Sequence, residues 1–175
     1  VRQNLPSLSN AVGFIYGQSD WNGKWRVLSL NASASVPFNI KQNHFKYTAN
    51  LKMQRAKRPT PASELFNLGS RYTVRGFDER FSISAEDGLL IRNELAYLYG
   101  ANQRQQAYVG LDWGKIKGPA ASDAIATTLS GAAIGVRGSY HNVTYDLAVG
   151  IPLKSPTYIQ HRHRPSVYGS LGYQF

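Results

Sequence analysis

The chain has 175 residues, 42% of them apolar, a formal charge of +10 and no cysteine. This is too apolar for a disordered tail and suits one folded unit, while the missing cysteines exclude a disulfide framework, a thiol nucleophile and a thiolate-bound metal. The positive charge would suit nucleic acid, but the basic residues are scattered and the one dense cluster, His161 to Arg164, has no basic helix or RNA-binding aromatic motif beside it, so no nucleic-acid partner is expected.

In chain order, Leu8 to Gly17 gives a mixed pattern with Val12, Phe14 and Tyr16 in one phase. Asp20-Trp21-Asn22-Gly23 follows with the turn chemistry of a hairpin. From Leu28 the alternation is regular: Leu28, Leu30, Ala32, Ala34, Val36 and Phe38 share one face, with Ser29, Asn31, Ser33 and Ser35 between them. After a polar turn at Lys41 to Asn43 the period returns, with Phe45, Tyr47, Ala49, Leu51 and Met53 against Lys46, Thr48, Asn50, Lys52 and Gln54. Two lysines on one polar face require water on that side.

Residues 56–87 break the pattern, with Pro59 and Pro61 unable to continue a ladder. A connection of this length is unusual unless it has a function, since most run about 4 to 6 residues. Beyond it, Leu89, Ile91, Leu95, Tyr97 and Tyr99 oppose Arg92 and Glu94, and Ala107, Val109, Leu111 and Trp113 oppose Tyr108, Gly110 and Asp112. A loop from Lys115 to Thr128 leads to Ala132, Ile134 and Val136 opposite Gly131, Gly135 and Arg137. A tight reversal at Tyr140-His141-Asn142 starts Val143, Tyr145, Leu147, Val149, Ile151 and Leu153 opposite Thr144 and Asp146. A basic loop from Lys154 to Arg164 precedes the last strand, in which Val167, Gly169, Leu171, Tyr173 and Phe175 share a face.

These strands number about eight, each roughly ten residues long, which is the span of a tilted transmembrane strand. Short turns after Phe38, Tyr99 and Tyr140 alternate with longer loops, as periplasmic turns and extracellular loops do in membrane barrels. A β-sandwich has shorter strands and no such parity. The mean hydropathy of −0.35 agrees with a barrel, because only alternate residues meet lipid. The expected fold is all-β, an antiparallel transmembrane β-barrel in the bacterial outer membrane, in which the loop carrying Arg75 lies on the extracellular side. The chain starts at Val1 without a signal segment and reads as a processed chain or a piece of a longer one.

Two stretches carry a family resemblance. The end, Tyr-Gly-Ser-Leu-Gly-Tyr-Gln-Phe, resembles the C-terminal assembly signal of outer-membrane barrels, with Tyr173 and Phe175 in its key places. Residues 69–79, Gly-Ser-Arg-Tyr-Thr-Val-Arg-Gly-Phe-Asp-Glu, resemble the Val-Arg-Gly-Phe/Tyr motif of two-partner secretion transporters, the TpsB class. The resemblance implies that residues 1–175 are barrel, the C-terminal half of about sixteen strands, with 56–87 as the motif loop and the periplasmic POTRA domains absent. The alternative is a truncated small barrel closed on itself. It implies export of an unfolded exoprotein (adhesin, haemolysin or contact-dependent toxin) without ATP, with lipid and the barrel-assembly machinery as further partners. A barrel-assembly factor, or a structural barrel without transport, are the alternatives.

In that family the loop folds into the lumen and its arginine pairs with a wall carboxylate. Here Val74, Arg75, Gly76 and Phe77 match the motif, and Asp112 fits the partner. Arg92 and Glu94, in the same lumen-facing phase, would extend the network. In a hydrated lumen such a pair contributes at most ~1 kcal/mol, more if water is excluded. No nucleophile or base surrounds Asp146, Asp112 and Glu94, so no catalytic residue, cofactor or enzyme activity is expected. His161 and His163 lack a further ligand and read as loop residues rather than a metal site.

Overall fold

The computed structural model describes residues 2–3, 25–57, 60–77, 82–122, 126–154 and 165–174. The expected strand at Leu8–Gly17, the Asp20–Gly23 turn, His161, His163 and Phe175 lie outside them.

Among the described residues, alternation of small or apolar with polar residues produces one antiparallel sheet of eight strands in the order β1-β2-β3-β6-β7-β8-β9-β10. They are β1 (Arg2–Gln3), β2 (Arg26–Ile40), β3 (Asn43–Ala56), β6 (Asp87–Tyr99), β7 (Gln105–Lys117), β8 (Thr128–Tyr140), β9 (Val143–Lys154) and β10 (Ser166–Tyr173). A separate two-stranded sheet, β4 (Phe66–Leu68) with β5 (Ile83–Ala85), lies within the connection from β3 to β6. Several strands outrun the expected ten residues, β2 reaching 15 and β7 13. From Leu28 to Ile40, at ~3.3 Å per residue and a typical tilt of ~40°, β2 rises about 30 Å, enough to cross the hydrocarbon of a bilayer.

Most of the apolar rows point outward, exposed among the described residues. Leu30, Val109, Leu111, Ile134 and Leu147 are roughly half exposed. Among the described residues no second sheet covers them, which is where a sandwich would have hidden them. At the short-turn end four rings run in sequence across strands: Phe38 on Phe45 at 5.6 Å, Phe45 on Tyr97 at 5.4 Å and Tyr97 on Tyr99 at 5.8 Å. Aromatic residues settle at a membrane interface because the ring is apolar and its edge or hydroxyl can stay wet.

The turns alternate with the loops. Lys41-Gln42 and His141-Asn142 are two-residue reversals, with Lys41 and His141 at φ 56 and 51, and a 3-10 turn at Ala101–Gln103 joins β6 to β7. Among the described residues β10 pairs only with β9 and β1 only with β2, so these strands form an open section of wall.

The polar face is not polar throughout. Near the loop end Leu90, Ile116 and Leu129 turn inward and form a core with Phe66, Leu68, Val74, Phe77, Ile83, Ala85 and Ala121. The motif connection is therefore a folded cap rather than a structureless loop: its small hairpin buries its own apolar side chains on the inside of the sheet. Gln54 Nε2 donates to the carbonyls of Glu64 at 2.8 Å and Glu86 at 3.1 Å, tying the base of the cap to β3.

Candidate functional site

The motif is aimed by a local turn. Gly69 has φ 105, a left-handed conformation open to glycine, and leads into a β-turn from Ser70 to Thr73 in which Thr73 N–H donates to the Ser70 carbonyl at 3.1 Å. The Thr73 hydroxyl accepts from the Gly69 and Ser70 amides, both at 3.0 Å. This sends Val74 into the apolar core, where it is fully buried, and turns Arg75 toward the strands.

Arg75 reaches the middle of the inner face. Its Nε donates to Asp112 Oδ2 at 2.7 Å, its Nη2 to Asp112 Oδ1 at 2.8 Å, and its own backbone N–H to Oδ2 at 2.9 Å. Nη1 donates to Glu94 Oε2 at 2.8 Å. The Asp112 side chain is 0% exposed and that of Arg75 6%, so water is excluded and the weak ion pair expected for a hydrated lumen does not describe it. Burial pulls the Arg75 pKa down, but hydrogen bonding and coulombic attraction to Asp112, then to Glu94, outweigh it and hold the pKa above the ordinary arginine value. A raised value means that the guanidinium keeps its charge at neutral pH and loses it only in strong alkali.

Arg92 and Glu94 both join this cluster. Arg92 Nη1 donates to the Tyr72 carbonyl at 2.9 Å, while its Nε lies 3.6 Å from Asp112 Oδ1 and, although buried, has no hydrogen-bond partner. Glu94 is shared: its Oε1 accepts from Arg137 Nη2 at 2.5 Å. Arg137 also donates to Gln106 at 2.9 Å and lies over the Tyr108 ring at 4.7 Å, and the Tyr108 hydroxyl donates to Asp146 at 2.8 Å. Register brings these together, since Arg92 pairs with Asp112, Glu94 with Gly110 and Arg137 with both Gln106 and Asp146.

Gly76 sits against β9 with φ 98, and a Cβ there would lie 2.5 Å from the Ile151 carbonyl carbon. Its amide donates to the Tyr168 hydroxyl at 3.0 Å, and that hydroxyl donates to the Phe77 carbonyl at 3.1 Å. Phe77 is 3% exposed in the apolar core. Tyr173 ends β10 outward and 62% exposed.

Sequence reasoning missed Arg137, Tyr108, Tyr168 and the role of the strand glycines. A Cβ on Gly110 or Gly131 would overlap Arg75, and one on Gly150 would lie 2.5 Å from the Gly76 amide, so these glycines form the bed on which the motif backbone lies. Their signal was the recurrence of glycine in the inward phase of β7, β8 and β9. Among the described residues no cluster of His, Asp and Glu stands close enough to hold a metal ion, and no helix could cross a membrane.

Comparison with known proteins gives this geometry its setting. Residues 6–138 match the family of haemolysin secretion/activation proteins ShlB/FhaC/HecB. The chain belongs to this family. The outer membrane transporter CdiB-2 of Burkholderia pseudomallei strain 1026b is 33% identical over 160 residues, covering 89% of this chain and 27% of that protein. The outer membrane transporter CdiB of Dickeya dadantii strain 3937 is 29% identical over 140 residues, 78% of this chain and 24% of that protein. Among solved structures, CdiB from Escherichia coli superposes with a TM-score of 0.76 at 25% identity, covering 87% of this chain and 28% of that one. CdiB from Acinetobacter baumannii gives 0.73 at 24% identity over 83% and 26%, a likeness of fold. The chain thus spans about a quarter of the length of the relatives it matches. As a ShlB/FhaC/HecB family member it is a section of an outer-membrane β-barrel of the two-partner secretion class, a transporter rather than an enzyme family.

Proposed function

We propose that this chain forms part of the wall of a pore through which an unfolded exoprotein, such as an adhesin, haemolysin or contact-dependent toxin, leaves the cell. The driving force is folding of the cargo outside rather than ATP hydrolysis. Residues 1–175 act as barrel, and the motif loop, 56–87, is the element held inside it. The observation that carries this reading is the buried fork of Arg75 on Asp112 with Glu94 on its remaining nitrogen. A long connection held inside a channel loses conformational entropy, and a few strong directional contacts offset that loss. Val74 and Phe77 add apolar anchorage, and Arg92 holds the backbone at Tyr72. Lipid covers the exposed outward rows, and the barrel-assembly machinery reads the end of the chain at Tyr173 and Phe175.

Secretion of the cognate exoprotein into the medium tests this, normalised to the amount of transporter in the outer membrane. Arg75→Ala and Asp112→Asn lower secretion strongly. Arg75→Lys only partly replaces arginine, because one ammonium cannot fork onto Asp112 and reach Glu94 together. Full secretion by all three variants, at normal transporter level, would refute the role given to the site.

A further inference from the structure

The ion pair fastens the motif to β6 and β7, while the backbone after Arg75 is held from the far side of the sheet. We infer that Tyr168 is a positioning residue that clamps the Gly76–Phe77 backbone to β10, so that the loop spans five strands and is seated only when β10 is in register. This rests on the proposal that the docked loop matters for transport. The Tyr168 hydroxyl accepts from the Gly76 amide at 3.0 Å and donates to the Phe77 carbonyl at 3.1 Å, using its lone pair and its proton on the two sides of the Gly76–Phe77 peptide link. Ser166, two residues earlier on the same face, donates its hydroxyl to the Gly76 carbonyl at 3.3 Å.

Arg75 cannot supply this anchorage, because its nitrogens all point toward β6 and β7. The site is built for the clamp: a Cβ on Gly150 would lie 2.5 Å from the Gly76 amide and 2.9 Å from the Tyr168 ring, so β9 carries glycine where loop and tyrosine meet. The ring packs beside Ala96, Tyr108 and Ala148, which fixes its direction without using the hydroxyl. Among the described residues β10 is the last strand and pairs on one side only, so its link to the loop is a second restraint on an edge.

The test uses cells expressing the protein in the outer membrane. The chain has no cysteine, and Val74 is fully buried while the loop is docked, so Val74→Cys reports undocking through its rate of reaction with a small charged thiol reagent. Tyr168→Phe keeps the ring and leaves the buried Gly76 amide without an acceptor. It raises the rate roughly tenfold or more. Ser166→Ala raises it less. Tyr145→Phe, which loses only a bond to Gln105 on the outward face, leaves it at the reference value. Combined with Arg75→Ala, Tyr168→Phe adds less than it does alone, because both act on one docked loop; a general loss of barrel stability would not produce that coupling. Resistance of the barrel to heat in detergent stays at the reference value. If Tyr168→Phe reacts at the reference rate while Arg75→Ala reacts faster, the clamp is wrong and the docked-loop reading stands. If Arg75→Ala also reacts at the reference rate, both fall.

Discussion

Asp112→Asn isolates the ion pair, because asparagine matches aspartate in shape and keeps one acceptor oxygen. In the native protein the Asp112 carboxylate takes three hydrogen bonds from Arg75, two from the guanidinium and one from the backbone, and its side chain is wholly buried. The amide would turn an N–H donor toward a guanidinium that has no acceptor to offer. It would also leave Arg75, Arg92 and Arg137 clustered around Glu94 alone. Removing one partner of a buried pair costs about 3–5 kcal/mol; Glu94 still holds Nη1, so the lower end, ~3 kcal/mol, applies. That is about a hundredfold in the docking equilibrium. Trypsin supplies the assay, because the variant keeps Arg75 and the bond after Arg75 is buried only while the loop is docked. Cleavage after Arg75, followed by mass spectrometry on outer membranes, speeds up in the variant relative to cleavage after the more exposed Arg71. Unchanged relative cleavage in a folded, membrane-inserted variant would refute the buried-pair argument.

Glu94→Gln leaves the Asp112 fork intact and removes one charged hydrogen bond, so the same proteolysis rises by about tenfold, for ~1.5 kcal/mol. Gly131→Ala forces a methyl into the Arg75 carbonyl and exposes the loop to trypsin, whereas Gly169→Ala, whose Cβ meets only Leu147 at 3.3 Å, does not. On the outward face Leu111→Arg lowers the folded fraction, seen as loss of the heat-resistant band in gel electrophoresis, by about 2–4 kcal/mol if it lies at the bilayer midplane. Ser33→Asp, on the opposite face of β2 where Ser33 donates to Asn50, leaves that band unchanged.

The sheet was legible because one force writes it: side chains in contact with lipid must be apolar at every second position, and the period survives in β2, β3 and β6 to β9. The cap was not. Phe66–Leu68 and Ile83–Ala85 are three-residue strands paired across a long excursion, too short to show a period. Its inner footing was visible only as broken alternation, for instance Leu90 between Leu89 and Ile91. Arg75 and Asp112 lie 37 residues apart with no local pattern to join them, and only the family resemblance suggested looking there. Arg137 and Tyr168 sat in the inward phase, but which inward residues meet depends on strand register and on where the loop lands.

The four charged groups that the strands themselves contribute around Arg75 are Arg92, Arg137, Glu94 and Asp112, two of each sign. These four are therefore balanced without the loop, and Arg75 enters as a guest cation rather than as a missing counter-ion. The unused Nε of Arg92, 3.6 Å from Asp112, is the substitute hand. Without the loop Asp112 would still have Arg92 beside it and Glu94 would still have Arg137, so each acid keeps a cation close by.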